Sequence, residues 1–288
     1  GTASSDNTAV ATTSLSGYNI TVTGVSAGPA RITGNVIMNG NVVGCTNFRD
    51  VTVTTPGPWW QVRDGDVTTI GDISSQVPTA QYFGTNGAGG FPGVPVFGGV
   101  FNLIASGTPV RISTNMWNVN SATTASRLFN YSYFKNLVPE DVVSGQVYTD
   151  GYKWTMITGD YTMPATDFLS TKNIILVNGN VIINGNINLD NNVGFLGIFA
   201  SGTINIINPA VTSIEGIYMT DSGFTTGPGT TQLVIRGSVA SHGGISLQRD
   251  LADDSVTPSE LFEFAPDQIL LFPDKLGFRG QRWAEVAP

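Results

Sequence analysis

The sequence lacks the residues from which disulfide frameworks and multi-histidine metal sites are built. Its 288 residues include one cysteine, Cys45, and one histidine, His242. A single cysteine cannot pair within the chain, so we expect Cys45 to be a small buried apolar residue. A single imidazole likewise excludes metal sites that need several histidine ligands.

Charge and long apolar runs are also scarce. Charged residues make up 12% of the chain, and 13 Lys and Arg against 21 Asp and Glu give a net charge of -8. A nucleic-acid-binding face needs clustered basic residues to contact phosphates, so nucleic acid is not expected as a partner. No apolar run approaches the roughly 18 residues that a transmembrane helix requires. The sequence therefore predicts no membrane span.

Glycine is abundant instead, with 35 residues, and a Gly-Asn motif occurs twice. Residues 34–42 read GNVIMNGNV, and residues 179–187 read GNVIINGNI. The alternating apolar side chains point to one core, while Gly and Asn accept the left-handed backbone of tight turns. One such turn cannot bury its apolar face alone. The motif therefore predicts stacked turns, with Asn side chains laddered over Asn.

Further Gly-x-apolar starts follow one another in the second half of the chain, at Gly159, Gly179, Gly202, Gly216 and Gly237. Their spacing is about the length of chain that one turn of a parallel β-helix needs. We predict an all-β fold: a parallel β-helix or solenoid, expected to be right-handed, with an N-terminal β-strand region and short helices.

Four regions are expected along the chain. Residues 1–57 would form an N-terminal β-strand segment or arm, which could cross between subunits. Residues 58–158 would form an irregular Gly/Pro-rich β segment that packs on the solenoid. The solenoid turns are assigned to residues 159–250, and residues 251–288 to a C-terminal cap, because an open terminal turn is a sticky edge.

Two short helices are predicted. The first lies within residues 123–137, where apolar residues share a face at helical spacing. The second spans residues 258–264, because Thr257 is positioned to cap it and Glu260 follows three residues later.

Several stretches together resemble a family of secreted proteins. They are residues 58–73 (PWWQVRDGDVTTIGDI), the Gly-Phe-Pro-Gly of residues 90–93, the repeat-rich residues 173–217, residues 237–250 (GSVASHGGISLQRD), and the terminal residues 283–288 (WAEVAP). The chain is similar, over residues 58–288, to uncharacterised secreted β-solenoid surface proteins of candidate phyla radiation (Patescibacteria) bacteria. The resemblance implies a surface or exported location and a β-solenoid body, and it supplies no active site to carry over.

Paired carboxylates are the first candidate for catalysis, because β-solenoids host enzymes that cleave polysaccharides with two acidic groups. The candidates form two groups: Asp64, Asp66 and Asp72, and Asp250, Asp253 and Asp254. The competing interpretation is turn chemistry, since Asp64-Gly65 is a hairpin signal. Calcium is left open as a ligand of these carboxylates or of Asp190, Asn191 and Asn192, although no twelve-residue calcium-loop pattern is present.

A serine–histidine–carboxylate triad is the second candidate. It would combine His242 with Ser241 or Ser246 and with Asp250. No Gly-x-Ser-x-Gly elbow surrounds either serine. The favoured interpretation is a structural or exposed histidine, and we predict no catalytic residue, no metal ligand and no cofactor.

Two adjacent tryptophans are the candidate contact residues. Trp59 and Trp60 would face opposite sides of a strand, so one is expected in the core. The other could stack on a sugar or on a neighbouring subunit. Trp59 and Trp60 are thus the predicted surface or subunit contacts.

These features favour a non-catalytic extracellular structural or surface protein that self-associates into an oligomer, filament or appendage. The first residue, Gly1, is compatible with a mature chain from which a leader has been removed. The alternative is a polysaccharide-active enzyme or a carbohydrate-binding module on a β-helix scaffold, with a surface glycan as partner.

Overall fold

The computed structural model divides the chain into two compact units, residues 1–56 and residues 57–288. The residues that it describes are 1–17, 19–25, 28–35, 37–38, 41–42, 47–53, 57–78, 81–87, 89–103, 112–113, 118–120, 129–163 and 165–277. Cys45 lies outside them. The boundary between the units falls beside the predicted boundary after residue 57.

The N-terminal unit is a small antiparallel β structure. Its strands are β1 (Thr2–Ser5), β2 (Ala11–Ser16), β3 (Asn19–Gly24), β4 (Gly28–Asn35), β5 (Ile37–Met38), β6 (Asn41–Val42) and β7 (Asn47–Val53). Strands β1, β4 and β7 form one sheet in that order, and β2 pairs with β3 in a hairpin. Its buried apolar residues among those described are Val10, Ala11, Ala30 and Ile32, with Val51 packed against them.

The second unit is a β-solenoid of about seven turns of stacked parallel strands, which confirms the predicted fold class. Its elements are β8 (Trp60–Arg63), β9 (Val67–Thr69), β10 (Ile73–Ser74), β11 (Gly84–Thr85), β12 (Pro95–Phe97), β13 (Phe101–Asn102), β14 (Val119–Asn120), α1 (Tyr131–Asn136), β15 (Gln146–Val147), β16 (Lys153–Thr158), β17 (Tyr161–Met163), β18 (Thr166–Leu169), β19 (Lys172–Asn178), β20 (Val181–Ile183), β21 (Ile187–Leu189), β22 (Phe195–Ala200), β23 (Ile204–Ile206), β24 (Ser213–Thr220), β25 (Phe224–Thr225), β26 (Leu233–Ser241), β27 (Ile245–Ser246), β28 (Glu260–Glu263) and α2 (Pro266–Leu270).

The main sheet has nine strands in the order β11-β8-β28-β26-β24-β22-β19-β16-β15. Its middle strands are buried on both faces, which explains their unbroken apolar runs. In β19, Ile175 and Val177 belong to the apolar interior of the solenoid, while Ile174 and Leu176 belong to a second cluster on the outer face. Helix α1 and the residues after α2 cover that outer cluster. At the β16 edge, β15 pairs antiparallel and closes the ladder beside Trp154.

The order of strands in the main sheet departs from the order of the chain at one place. Strand β28 pairs on its far side with β8, from the start of the unit, and β11 follows β8. The described residues between positions 57 and 120 therefore form turns of the solenoid that stack beyond its C-terminal turn. We call these residues the N-proximal block, and the contact between β8 and β28 the seam. The sequence predicted an irregular segment packed on the solenoid in this part of the chain.

The helix predictions have different outcomes. Helix α1 lies inside the predicted residues 123–137, and the side chain of Asn130 accepts a hydrogen bond from the Tyr133 amide at its N-terminus. Residues 121–128 are outside the described part. The helix predicted over residues 258–264 is wrong, because Glu260–Glu263 forms β28, which pairs with β26 and β8, and the helix begins later, at Pro266. Pairing on both sides of β28 outweighs a local capping signal.

The two copies of the Gly-Asn motif adopt different structures. In the second copy, β20 pairs in parallel with β17 and β23 inside the solenoid. In the first copy, the described residues end β4 and form β5 and β6, which pair antiparallel. The same motif thus takes part in parallel pairing in one copy and in antiparallel pairing in the other, so the surrounding chain determines which strands pair.

Candidate functional site

The carboxylate of Asp64 holds the next turn of the N-proximal block. It accepts hydrogen bonds from the backbone amides of Gly87 at 2.6 Å, Gly89 at 2.5 Å and Phe91 at 3.2 Å. Asp64 itself has a left-handed backbone with φ of 55°, a conformation that Asp tolerates better than most residues. Its position after β8 thus makes Asp64 an anchor for a glycine-rich loop.

Asp66 and Asp72, further along the turn, also accept hydrogen bonds from backbone amides of the following turn. Asp66 Oδ1 accepts from the Val94 amide at 2.8 Å, and Asp72 Oδ1 accepts from the Val100 amide at 2.6 Å. Each carboxylate thus bridges to the following turn. The first candidate acidic group is engaged by backbone amides of the following turn, and Asp64-Gly65 does not close a hairpin, because β8 pairs with β28 and β11 while β9 pairs with β12.

A polar ladder runs along a corner of the solenoid. Asn180 donates through its backbone amide, at 2.9 Å, and through Nδ2, at 3.0 Å, to Asp160 Oδ1. Asn180 Oδ1 in turn accepts from the Thr203 amide at 2.9 Å. The sequence predicted Asn stacked on Asn. The neighbours are instead Asp and Thr, which supply equivalent donors and acceptors.

In the second acidic group, the exposed Asp250 lies within hydrogen-bonding reach of the buried Asp254, while Asp253 is exposed. Asp254 is 3% exposed and accepts from Ser259 Oγ at 2.8 Å. Burial raises the pKa of Asp254, and the Ser259 hydrogen bond opposes that rise. Asp253 is exposed and accepts from the Ser255 amide at 2.9 Å. Hydrogen bonds from Ser255 lower the pKa of Asp253.

The histidine and its neighbouring serines do not make the hydrogen bonds of a triad in the described structure. His242 Nε2 lies 3.3 Å from the carbonyl oxygen of Phe129. Ser241 Oγ lies 2.7 Å from the carbonyl oxygens of both Ser222 and Gly244, to which a hydroxyl can only donate. The Ser241 hydroxyl is therefore oriented toward backbone oxygens.

Residues 190–192, the other calcium candidate, form a tight turn. The Asp190 carbonyl accepts from the Val193 amide at 3.1 Å and from the Gly194 amide at 2.9 Å. Asn192 has φ of 65° and donates its amide to Asp267 Oδ2 at 3.4 Å. Over the described residues there is no cluster of three or more His, Cys, Asp or Glu side chains placed to hold a metal ion.

Trp59 and Trp60 lie at the seam. Trp59 is 1% exposed, and its Nε1 donates to the Asp254 carbonyl oxygen at 2.8 Å. Trp60 is half-buried, its Nε1 donates to the Ser74 carbonyl oxygen at 2.8 Å, and its ring meets Phe262 edge-on at 5.9 Å. The two predicted contact residues thus pack against parts of their own chain.

A buried polar layer lies directly beside the seam. Glu260 Oε1 accepts from Thr226 Oγ1 at 2.7 Å and from the amides of Arg249 and Gln248 at 2.9 Å and 3.1 Å. Burial raises the pKa of Glu260, and hydrogen bonds from the Arg249 amide and from Thr226 oppose the rise. Arg249 is 1% exposed and donates from Nη1 to the Pro209 carbonyl at 2.8 Å. Burial lowers the pKa of Arg249.

Sequence reasoning did not identify this layer. The available signal is Glu260 itself, because it occupies an inward position in the strand Glu260–Glu263, in register with Leu233 of β26. A charged residue at an apolar position of an alternating strand indicates a partner within the core.

An apolar cleft opens on the outer face of the main sheet between α1 and the C-terminal residues. Its volume is about 550 Å³. Its lining includes Phe134, Ile217, Phe272 and Leu276, with Asp274 as the carboxylate among the described lining residues. Glycoside cleavage commonly needs two facing carboxyl groups. The lining offers one carboxylate and several apolar side chains, so it fits an apolar group better than a glycan about to be cleaved.

The N-terminal unit exposes a large share of its apolar side chains. The exposed apolar residues are Leu15, Ile20, Val22, Val25 and Phe48. Arg31 lies 4.4 Å above the Phe48 ring and pairs with Asp50 at 2.7 Å. Among the described strands, β7 has a pairing partner on one side only, β4.

The chain matches no family model, no curated protein and no solved structure in the comparisons made. The resemblance to secreted surface proteins therefore stays a prediction. Neither helix in the described part of the chain has the length and apolar character needed to cross a bilayer.

Proposed function

We propose that this is a non-catalytic structural protein of the cell surface or extracellular space, whose copies associate into an oligomer or filament. The observation that carries the proposal is the N-terminal unit, with its small core, its exposed apolar residues and an edge of β7 that no described strand pairs with. An unpaired strand edge is a template for pairing with another chain.

The size of the N-terminal unit supports association. Its 56 residues bury four apolar side chains in one cluster among those described. Units of this size bury too little apolar surface to be more than marginally stable on their own. Contact with a second copy would cover Leu15, Ile20 and Phe48, and would stabilise the unit.

The carboxylates of the solenoid support a role without catalysis. Asp64, Asp66 and Asp72 each accept backbone amides of the next turn. Glu260 is enclosed by hydrogen-bond donors of its own chain. Groups used in this way hold turns together, which is what a rigid surface scaffold requires.

Electron microscopy of the purified protein, with light scattering across concentration, tests the proposal. We expect regular oligomers or filaments, and we expect Phe48→Lys to weaken association at least tenfold by placing a charge on the exposed apolar surface. The matched control is Leu270→Lys, which changes a residue that is 83% exposed in the other unit. A monomer at every concentration would refute the proposal.

The alternative of a polysaccharide-active or carbohydrate-binding protein makes a different prediction for the same sample. Incubation with a panel of glycans would release reducing ends or unsaturated sugars, or would show saturable binding. Such activity, together with a monomeric state, would replace the structural interpretation.

A further inference from the structure

The seam joins two parts of the chain that are not consecutive. Elsewhere along the solenoid, successive main-sheet strands such as β24 and β26 belong to neighbouring turns of one continuous winding. At the seam, Arg63 and Glu263 pair although 200 residues separate them. Between the N-proximal block and β28, hydrogen bonding and packing therefore replace the direct chain connection that joins neighbouring turns elsewhere.

The seam has the character of an interface between separate molecules. Four residue pairs are in parallel register, from Glu260 with Trp60 to Glu263 with Arg63. The Ser259 amide donates to the Trp59 carbonyl at 2.7 Å, and the Phe264 amide donates to the Arg63 carbonyl at 3.0 Å. Apolar anchors at the centre with an ion pair at the margin are the usual anatomy of a protein interface.

An open seam would expose surfaces that need a partner. Trp59 and Val62 are at most 4% exposed, and Phe262 packs against both the solenoid interior and the apolar cluster of the N-proximal block. The hydrogen-bond partners of Glu260, namely Thr226, Gln248 and Arg249, all belong to the solenoid side of the seam, so this layer would stay with β28 if the seam opened. Any edge with the sequence of β28 satisfies the same contacts, whether it belongs to the same chain or to another copy.

The chain that connects the block to the rest of the solenoid is short for the distance that it spans. The Tyr131 amide donates to Asp221, which directly follows β24, whereas Asn120 ends β14 beyond the seam. Five strand spacings separate these turns, or about 24 Å along the stack. The ten residue steps from Asn120 to Asn130 reach at most about 35 Å. A connection of so few residues favours exchange of the block between molecules.

We propose that copies of this protein join by exchanging the N-proximal block, so that β8 of one molecule stacks on β28 of a second copy. The inference rests on the proposed function and names a second contact between subunits, besides the one through the N-terminal unit. Each molecule has one N-proximal block, which can bind a β28 edge, and one β28 edge, which can accept a block. The exchange is therefore head-to-tail, and it generates open chains unless it closes into a ring.

Disulfide trapping at the seam tests this proposal. In a Cys45→Ser background, Arg63→Cys and Glu263→Cys place thiols on a half-buried, in-register parallel pair whose spacing suits a disulfide. The full chain is unfolded, refolded at increasing concentrations, oxidised, and separated on non-reducing gels. We expect a ladder of covalent dimers, trimers and longer species whose share increases with concentration.

The control is Thr158→Cys with Asn178→Cys, an exposed in-register pair inside the continuous winding. This pair should give monomers with an internal link at every concentration. If the disulfide between positions 63 and 263 forms only within single chains, even in samples that contain filaments, the exchange is refuted. The proposed function is not affected by that result. Equal ladders for the two pairs also refute the exchange. A sample without any assembly, by contrast, contradicts the proposed function itself.

Discussion

Two stacked glycines place the tightest steric limit on any single residue of the main sheet. Gly216 and Gly237 pair in register between β24 and β26, with φ of 136° and 138°. A Cβ atom on Gly237 would collide with the Gly216 backbone, and one on Gly216 would lie 2.7 Å from the Leu196 carbonyl oxygen. Successive turns can approach at this point only because neither residue has a side chain.

Gly237→Ala should therefore destabilise the protein by about 2 kcal/mol or more, because it combines an unfavourable φ with a backbone clash. The control, Gly159→Ala, shares the positive φ of 92° but has open space around the added Cβ. Its cost should be about 1 kcal/mol. Denaturant unfolding of both variants measures the difference, and equal losses would contradict the stacking argument.

The burial of Glu260 gives the stability of the protein a specific pH dependence. Because folding raises the pKa of Glu260 above its ordinary value of 4.5, the folded state binds more protons than the unfolded state just above that pH. The contribution of this carboxyl to stability is then complete below its ordinary pKa and is lost as the pH rises through the folded pKa.

Glu260→Gln keeps an acceptor for Thr226 and removes the titration. The free energy of unfolding of the variant minus that of the wild type should increase as the pH rises from below 4.5 toward neutrality. Denaturant titrations across this range measure it, with the exposed Glu140→Gln as the control. A difference in unfolding free energy that does not change with pH would show that folding does not raise the pKa of Glu260.

At the scale of elements, the loop after β11 depends on a side chain in the preceding turn. Asp64→Ala removes the acceptor for the amides of Gly87, Gly89 and Phe91 and should cost about 1.5–3 kcal/mol. Asp64→Asn should cost less, because Asn tolerates the same φ and retains one acceptor oxygen. Hydrogen exchange at Gly87 and Gly89 should accelerate in the Ala variant, and unchanged protection would disprove this anchoring.

The first strand of the N-proximal block depends on Trp59. Trp59→Ala should destabilise the chain by about 3–5 kcal/mol, because it leaves a cavity at the seam and an unpaired Asp254 carbonyl. Phe91→Ala, at a residue that is 76% exposed, should change stability by less than about 0.5 kcal/mol. Thermal melts compare the two. Similar melting temperatures would place Trp59 outside the core.

Sequence patterns predicted elements well where one turn repeats its neighbour. Gly179 and Gly202 lie at the same place in adjacent turns as expected, because apolar alternation and corner glycines are local signals. Gly216 and Gly237, which were expected to start turns as well, instead lie inside β24 and β26. The strand at Glu260–Glu263 was mistaken for a helix, since Thr257 and Glu260 form a convincing local cap while the strand depends on β26 and β8. The seam could not be predicted, because the local sequence of β8 carries no information about a pairing partner 200 residues away.

For the whole molecule, the two units should unfold separately. Their apolar clusters are distinct, with a small one in residues 1–56 and larger ones in residues 57–288. All five tryptophans belong to the second unit, at positions 59, 60, 117, 154 and 283. Tryptophan fluorescence therefore reports the solenoid alone, whereas far-ultraviolet circular dichroism reports both units.

Thermal unfolding of dilute protein should accordingly give two different curves. We expect circular dichroism to detect a transition at lower temperature, from the N-terminal unit, that fluorescence does not detect. Coincident curves at every concentration would mean that the two units unfold as one cooperative body.

The position of Gly57 determines where a pulling force would act. The N-terminal unit connects directly to the turn that begins with β8, so tension on that unit enters the solenoid at the seam, in the interior of the stack. Chain connectivity does not reinforce the seam, and the four backbone pairs between β8 and β28 would carry the load first. Within the solenoid, the seam would therefore be the first contact to separate under mechanical strain. The continuous winding from β16 to β26 would stay intact, and the N-proximal block would be free to rejoin the same edge when the tension ends.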